Sequence, residues 1–365
     1  MAENPERDAA PEPVPGTEPP TVAIPPGGTT HEDFGLQGVP EALPFEDGGD
    51  EAVPFGDYEL LGELGRGGMG VVYRARERHS GRIVALKMML SEAGPKPHEL
   101  RRFRLEARAA GQLSHPGIVS VHSWGEHDKA LFYTMDYVPG VPLVRLMVKG
   151  RLPADRAVRY LVGIARAVAT AHAQGIVHRD LKPGNVIIDP HDQPRVLDFG
   201  LAKRQLAVTG EASGIESIVD VLPADTQTVN RSVPDTDSRF QRVTREGTIV
   251  GTPTYMAPEQ ASGVHDEICP ATDVHALGAI LYEMLMGRPP YQGGSVMETL
   301  LQVRQREPDA MWVEGQRVPK VLEEVCLRCL QKKPRDRYPD AGALADDLET
   351  RWERAAQARR FARLS

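Results

Sequence analysis

The stretch His178–Asn185, with the sequence HRDLKPGN, decides the fold of this chain together with the Asp-Phe-Gly triplet that begins at Asp198. It places a carboxylate, an ammonium and an amide within eight residues, and a second carboxylate follows thirteen positions after the amide. Transfer of a phosphoryl group from ATP uses such a set. Asp180 is suited to orient or accept the proton of a substrate hydroxyl, and Lys182 to screen the moving phosphoryl group. Asn185 and Asp198 are predicted to hold magnesium ions that neutralise the phosphates.

A glycine cluster lies upstream, where the sequence GRGGMGVV over Gly65–Val72 fits the pattern GxGxxGxV. Glycines let a backbone fold tightly over phosphates and point its N–H groups at them. A dinucleotide-binding fingerprint shares this pattern but continues into a helix. Here β-branched residues and a second strand follow, so a dinucleotide site is excluded, and no Walker A sequence is present.

Lys87 closes the apolar run Ile83–Lys87, which is typical of a buried strand. A helix is predicted over 97–113, where apolar residues recur at spacings of three and four and Glu106 shares their inward face. A carboxylate on that face needs a partner. Lys87, nineteen residues earlier, is the predicted one, and together they would position the phosphates of ATP.

Composition divides the chain of 365 residues into an acidic leader and a nearly neutral body. Residues 1–56 hold eleven of the 31 prolines and carry a net charge of −11. Because the whole chain has a net charge of −8, the remaining residues carry +3. Such a stretch buries too little apolar surface to offset its ordering entropy, so 1–56 is predicted to be a disordered, acidic, Pro-rich tail. Neither part has the basic, aromatic-interleaved patch of a nucleic-acid binder. Only three cysteines and no long apolar run occur, so the sequence predicts a cytoplasmic protein with no transmembrane segment.

With these motifs in order, the chain resembles the eukaryotic-like serine/threonine protein kinases of bacteria, over about Tyr58–Asp347. The resemblance also includes GTPTYMAPE at Gly251–Glu259, DVHALG at Asp273–Gly278 and PRDRY at Pro334–Tyr338. It implies an α+β, two-lobed protein kinase fold, with a small antiparallel β lobe carrying one main helix and a larger helical lobe. The implied kinase domain is 57–350, made of an N-lobe (57–138) and a C-lobe (139–350) with a long activation segment (198–259). A basic helical extension (351–365) follows.

The same resemblance assigns further roles. Thr252 would hydrogen-bond Asp180 and Lys182, Glu259 would pair with Arg337, and Asp273 would cap the catalytic-loop backbone. ATP with Mg²⁺ (or Mn²⁺) is the implied cofactor, and Met135 would be the gatekeeper residue behind the adenine. The implied nucleotide-contacting positions are Leu64, Gly65, Gly67, Gly70, Val72, Ala85, Lys87, Met135, Asp136, Val138 and Ile187.

Lys182 and the Gly251–Glu259 segment resemble the corresponding parts of kinases that phosphorylate Ser and Thr hydroxyls of proteins. The resemblance therefore implies a role in signalling. The activation segment has 62 residues, and its excess, rich in Ser, Thr, Asp, Pro and Gly, is either a neutral insertion or a regulatory loop. Arg179 is suited to pair with a phosphorylated residue of this segment, for which Thr244 and Thr248 are the candidates. Autophosphorylation there is therefore predicted.

Other interpretations remain open at this point. The alternatives are a pseudokinase-like scaffold, a small-molecule kinase, and a partner-binding module whose tail and insertion carry the main role. Threonines in the tail would attract a phosphothreonine-binding partner once phosphorylated. The CxxC at Cys326–Cys329 and His275 are interpreted as core residues rather than a metal site and a pH switch.

Overall fold

The computed structural model describes residues 52–67, 70–89, 111–128, 130–199, 253–313 and 316–364. Among these residues, strands dominate as far as Asp136, and helices dominate beyond it. The predicted α+β class, a small antiparallel β lobe followed by a larger helical lobe, is confirmed. The one helix predicted for the β lobe, over 97–113, lies outside the described residues except for its last three positions.

The β lobe is a six-stranded sheet in the order β1-β2-β3-β4-β6-β5, and every neighbouring pair of strands is antiparallel. The strands are β1 (Val53–Phe55), β2 (Tyr58–Gly67), β3 (Gly70–Glu77), β4 (Ile83–Met89), β5 (Val121–His127) and β6 (Ala130–Asp136). Side chains alternate between the two faces of each strand. One face, with Leu60, Tyr73 and Leu86, forms its own buried cluster, and the other, with Ala85, Tyr133 and Met135, forms a second. Leu197, which directly precedes Asp198, packs against the second cluster.

The sheet begins inside the stretch that composition assigns to the tail. Residues Val53–Phe55 pair with Tyr58–Leu60, and the Phe55 ring packs edge-on against Phe132 with centroids 5.2 Å apart. This aromatic contact supplies the burial that the rest of the tail composition lacks. Downstream, Val119 stands outside strand β5, because its N–H donates to the carbonyl of Val196 instead of a neighbouring strand.

All seven helices that the structure describes in the helical lobe contribute residues to one large apolar core. The helices are α1 (Leu143–Val148), α2 (Ala154–Ala173), α3 (Pro258–Ala261), α4 (Pro270–Met286), α5 (Val296–Gln305), α6 (Lys320–Cys329) and α7 (Ala341–Leu364). Helix α4 is buried nearly all round, as its continuous apolar sequence predicts. At Gly278 an added Cβ would lie 2.4 Å from the Cβ of Cys329, so glycine permits the close approach of α4 and α6.

Two small sheets complete the lobe. Strands β7 (Val141–Pro142), β8 (Val186–Ile188) and β9 (Pro194–Val196) form one, and β10 (Trp312–Val313) and β11 (Gln316–Arg317) form the other. Strands β8 and β9 flank the DFG triplet on its N-terminal side and fix the loop that carries Asp180. No helix in the described part of the chain has the length and apolar character that crossing a bilayer requires.

Candidate active site

The loop before β8 brings Asp180, Lys182 and Asn185 into direct contact. The Lys182 ammonium donates to Asp180 Oδ2 at 2.7 Å. The Asn185 amide donates to the carbonyl of Asp180 at 2.8 Å and to its Oδ2 at 3.2 Å. A 3₁₀ turn at Pro183–Asn185 produces this arrangement, because it folds the amide back over the residue five positions earlier. The Asp180 carboxylate is thereby fixed in orientation but stays partly exposed.

Asp273, at the start of the buried helix α4, anchors the same loop from below. Its carboxylate accepts hydrogen bonds from the backbone N–H groups of His178, at 2.7 Å, and Arg179, at 2.8 Å. His172 Nε2 lies 2.9 Å from the same carboxylate. Arg179 has a φ of +68°, a strained value for a residue with a side chain. The predicted capping by Asp273 is confirmed, and it holds this strained backbone in place.

Gln260 adds a contact that the sequence did not reveal. Its side-chain amide donates to the carbonyl of Arg179 at 2.8 Å, and its oxygen accepts the N–H of Ala257 at 3.0 Å. The end of the activation segment is therefore tied directly to the catalytic loop. Only its position next to Glu259 in the sequence hinted at such a role.

Asp198 carries a φ of +60° and projects between the two lobes. Lys87 from β4 donates to its Oδ2, and the Tyr133 hydroxyl from β6 donates to its Oδ1, both at 2.5 Å. Burial would raise the pKa of Asp198, but Lys87 and Tyr133 stabilise the carboxylate, and the net effect lowers that pKa. Burial, and then the Asp198 charge, raises the pKa of Tyr133 well above its usual value. Asp198 is therefore ionised and Tyr133 is its neutral donor.

Phe199 turns away from the cleft and packs in the core of the helical lobe. Its ring lies 4.8 Å, centroid to centroid, from His178, whose Nε2 is 2.8 Å from the carbonyl of Leu197. The first residue of the HRD motif, His178, thus contacts the second residue of the DFG motif, Phe199.

The predicted adenine-facing residues lie around the second cluster of the sheet. Ala85 and Met135 are buried in it, and Val72 and Val138 pack against it from its edge. Ile187 lies on β8, opposite Pro142, and Leu64 is largely exposed on the glycine strand β2. Gly65 pairs with Val72, and Gly67 with Gly70. The resemblance places the adenine between Val72 and Ala85 above and Ile187 below.

Asp136, one of the implied nucleotide-contacting positions, is the last residue of strand β6. Its backbone N–H donates to the carbonyl of Ser120 at 3.0 Å, so this N–H is used within the sheet. Its side chain points outward, where it contacts Arg82 at 3.0 Å and His122 at 2.9 Å. Its contact with a nucleotide stays a prediction.

The donor set at Asn185 and Asp198 fits a hard divalent cation. One amide and one carboxylate offer only oxygen ligands, and Mg²⁺ in nucleotide sites uses one or two protein ligands with phosphate oxygens. Among the described residues no group of three or more His, Cys, Asp or Glu side chains is arranged to hold a metal. The residues present therefore fit a cation that arrives with a nucleotide, and not an all-protein metal cage.

The buried pair Glu259–Arg337 ties the end of the activation segment to the base of the helical lobe. Arg337 donates two hydrogen bonds of 2.8 Å to the carboxylate, and Thr272 donates a third at 2.8 Å. The Arg337 side chain is 0% exposed and the Glu259 side chain is 1% exposed. The pairing implied by the resemblance is confirmed.

Four predicted site residues, Glu106, Thr252, Thr244 and Thr248, lie outside the described residues. Lys87, the predicted partner of Glu106, contacts Asp198. Tyr133 was missed by the sequence interpretation, although it stands out as the one tyrosine among the inward positions Leu131, Tyr133 and Met135 of its strand.

The remaining interpretations of single residues are confirmed. Cys326 and Cys329 are fully buried in the core, and Cys326 donates to the carbonyl of Gly278 at 3.4 Å. His275 is fully buried and stacks parallel to Tyr291, with centroids 6.2 Å apart. Burial, and then the charges of Arg337 and Lys332, lowers the pKa of His275 well below its usual value, so it packs as a neutral ring.

Comparison with known proteins gives a consistent result. The family model of the protein kinase domain matches residues 58–216 and 235–348. The serine/threonine-protein kinase PknA of Mycobacterium tuberculosis is 35% identical over 297 residues, covering 80% of this chain and 60% of that protein. The serine/threonine-protein kinase PknH of Mycobacterium bovis is 36% identical, covering 80% of this chain and 43% of that protein. The chain thus spans about three fifths or less of the length of these relatives.

Among solved structures, the kinase domain of Mycobacterium tuberculosis PknI superposes with a TM-score of 0.55 at 24% identity. The match covers 82% of this chain and 97% of that domain, and it shows a shared fold.

Proposed function

We propose that this chain, which belongs to the protein kinase family, transfers the γ-phosphoryl group of ATP to Ser and Thr hydroxyls of proteins. The observation that carries the proposal is the joint placement of Asp180, Lys182 and Asn185 on one loop. The pair Lys87–Asp198 joins strand β4 of the sheet to the DFG segment. The named serine/threonine kinases among its relatives support the same activity.

In this mechanism Asp180 orients the attacking hydroxyl and accepts its proton, because its carboxylate is fixed yet accessible. Lys182, 2.7 Å from that carboxylate, stabilises the charge of the transferred group. Lys87 leaves Asp198 to hold the α- and β-phosphates. A bound Mg²⁺ ion, or Mn²⁺ in its place, would neutralise the phosphates, held by the amide oxygen of Asn185 and the carboxylate of Asp198.

A pseudokinase scaffold is the less favoured alternative, because Lys87, Asp180, Asn185 and Asp198 all keep the residue types that catalysis needs. The three cysteines are unpaired, which suits a reducing compartment, and we place the protein in the cytoplasm on that ground.

The test is a γ-phosphate transfer assay on a protein substrate with Asp180→Asn. We expect kcat to fall by about 10²–10⁴-fold, the usual contribution of acid–base catalysis, while ATP affinity stays within threefold or so. Asp128→Asn is the matched control, because Asp128 is a 90% exposed aspartate on the β5–β6 turn. Equal loss in both variants, or full activity in Asp180→Asn, would refute the mechanism.

Regulation is proposed to act through Arg179 and the activation segment. The carbonyl and N–H of Arg179 are already fixed by Gln260 and Asp273. A phosphate on Thr244 or Thr248 would add a charge of about −1.5 to −2 for its guanidinium to bind, and would thereby order the segment. Activity should therefore rise with autophosphorylation and fail to rise in the double variant Thr244→Ala/Thr248→Ala. Mass spectrometry measures the phosphorylation, and the turnover number measures the activity. An equal rise in activity in that variant would contradict this mechanism of regulation.

A further inference from the structure

Tyr133 places a hydroxyl among the apolar side chains of the second buried cluster of the sheet. The residues buried with it, which are Ala85, Val119, Leu131 and Met135, have no hydrogen-bonding side chain apart from the weakly accepting sulfur of Met135. The Tyr133 side chain is 0% exposed, so an aliphatic residue or phenylalanine would satisfy the packing alone. A buried hydroxyl is unfavourable unless it has a partner. Its partner therefore explains why a tyrosine is suited to this position.

That partner is the carboxylate of Asp198, 65 residues away and in the other lobe. Strands β4 and β6 place Lys87 directly opposite Tyr133 in register, so both side chains leave the sheet on the same face. The Lys87 ammonium lies 5.8 Å from the centroid of the Tyr133 ring. Each donor takes one oxygen: Tyr133 holds Oδ1 and Lys87 holds Oδ2.

We propose that Tyr133 is a positioning residue for Asp198, one that fixes the orientation of this carboxylate for the metal–nucleotide complex. The inference rests on the proposed function, in which Lys87 moves from Asp198 to the phosphates. Once Lys87 has moved, the Tyr133 hydroxyl is the donor from the sheet that still orients Asp198. Tyr133 also joins the β lobe to the DFG segment, so the same bond restrains the relative positions of the two.

The residue acts through Asp198 and does not touch the substrate. Its removal should therefore weaken binding of the metal with nucleotide, and lower kcat, while the affinity for nucleotide alone and the KM for protein substrate stay unchanged. A lost packing contact would instead affect metal-free nucleotide binding and thermal stability to the same degree.

The test compares Tyr133→Phe with Tyr58→Phe in the full chain. Tyr58 is a matched control, because its hydroxyl is also hydrogen-bonded, to Ser123 Oγ at 2.8 Å, but within the sheet and on its opposite face. Binding of Mn²⁺ in the presence of ADP is followed by electron paramagnetic resonance, and metal-free ADP binding by calorimetry. We expect Tyr133→Phe to weaken Mn²⁺ about tenfold, which corresponds to about 1.4 kcal/mol, with metal-free ADP binding within twofold or so of wild type. Tyr58→Phe should change neither.

Two outcomes would overturn the inference: Mn²⁺ affinity within about twofold of wild type in Tyr133→Phe, or an equal loss in Tyr58→Phe. Tyr133→Leu repeats the measurement with an aliphatic residue, so that a folding defect in one variant does not decide the result. A wild-type chain that binds metal and ADP but transfers no phosphate would refute the proposed function and leave the positioning role measurable. Wild-type activity together with unchanged Mn²⁺ binding in both Tyr133 variants would refute the positioning role alone.

Discussion

Replacing Arg337 by Met should destabilise the chain more than any change to its exposed ion pairs. Arg337 uses its guanidinium for five hydrogen bonds of 2.7–2.9 Å, two to Glu259 and one each to the carbonyls of Ala271, Gln331 and Lys332. Its loss leaves the Glu259 carboxylate buried with Thr272 as its remaining side-chain donor in the described structure. Breaking a buried ion pair from one side costs about 3–5 kcal/mol.

That cost corresponds to a fall in melting temperature of roughly 6–20 °C, taking about 2–4 °C for each kcal/mol in a domain of this size class. Circular dichroism on heating measures it. Arg166→Met is the control, because Arg166 is also an ion-paired arginine, but its partners Asp346 and Glu349 lie on the surface. A surface pair of this kind contributes about 0–1 kcal/mol.

The double variant Glu259→Leu/Arg337→Met separates the lost pair from lost packing. It removes the uncompensated carboxylate, so it should melt at a higher temperature than Arg337→Met alone. The reasoning is refuted if Arg337→Met melts within about 2 °C of Arg166→Met, or if the double variant is the least stable of the three.

Two further predictions concern the cleft and the base of the helical lobe. Met135→Ala should raise the affinity of ATP-competitive inhibitors that carry a bulky rear substituent by about tenfold, because it removes a buried side chain that packs with Ala85. Competitive binding measures this affinity. An equal gain in the control Met88→Ala, which changes the other face of the sheet, would contradict the prediction. Burial, with Arg337 nearby and against the opposing charge of Glu307, lowers the pKa of Lys332 to about 8 from 10.5. At pH values between about 8 and 10.5, Lys332 is therefore protonated in the unfolded chain and largely neutral in the folded one. The free energy of unfolding of the wild type should then rise with pH across this range, relative to that of Lys332→Met. A constant difference across that range, measured by urea denaturation, would show that Lys332 is not shifted.

Much of the fold and site could be predicted from patterns that are local in the sequence. The short apolar runs Ile83–Lys87 and Leu131–Met135 predict strands, and the longer apolar run of α4 predicts a buried helix. The HRDLKPGN stretch fixes its own contacts, since a 3₁₀ turn of three residues is enough to fold Asn185 onto Asp180. The pairings of Glu259 with Arg337 and of Asp273 with the loop backbone came from resemblance, because no local pattern relates residues so far apart.

The sequence by itself therefore determined the residue types of the site, the order of its elements and the family. The tertiary structure alone decided that the Tyr133 hydroxyl and Lys87 share the Asp198 carboxylate, that Gln260 binds the carbonyl of Arg179, and that the Asp136 N–H is used within the sheet. The physical reason is range. Periods of 2 and 3.6 residues show which face of an element is buried, but a hydrogen bond is sensitive to a few tenths of an ångström. Between residues 65 to 111 positions apart, that distance is set by how the β lobe packs on the DFG segment.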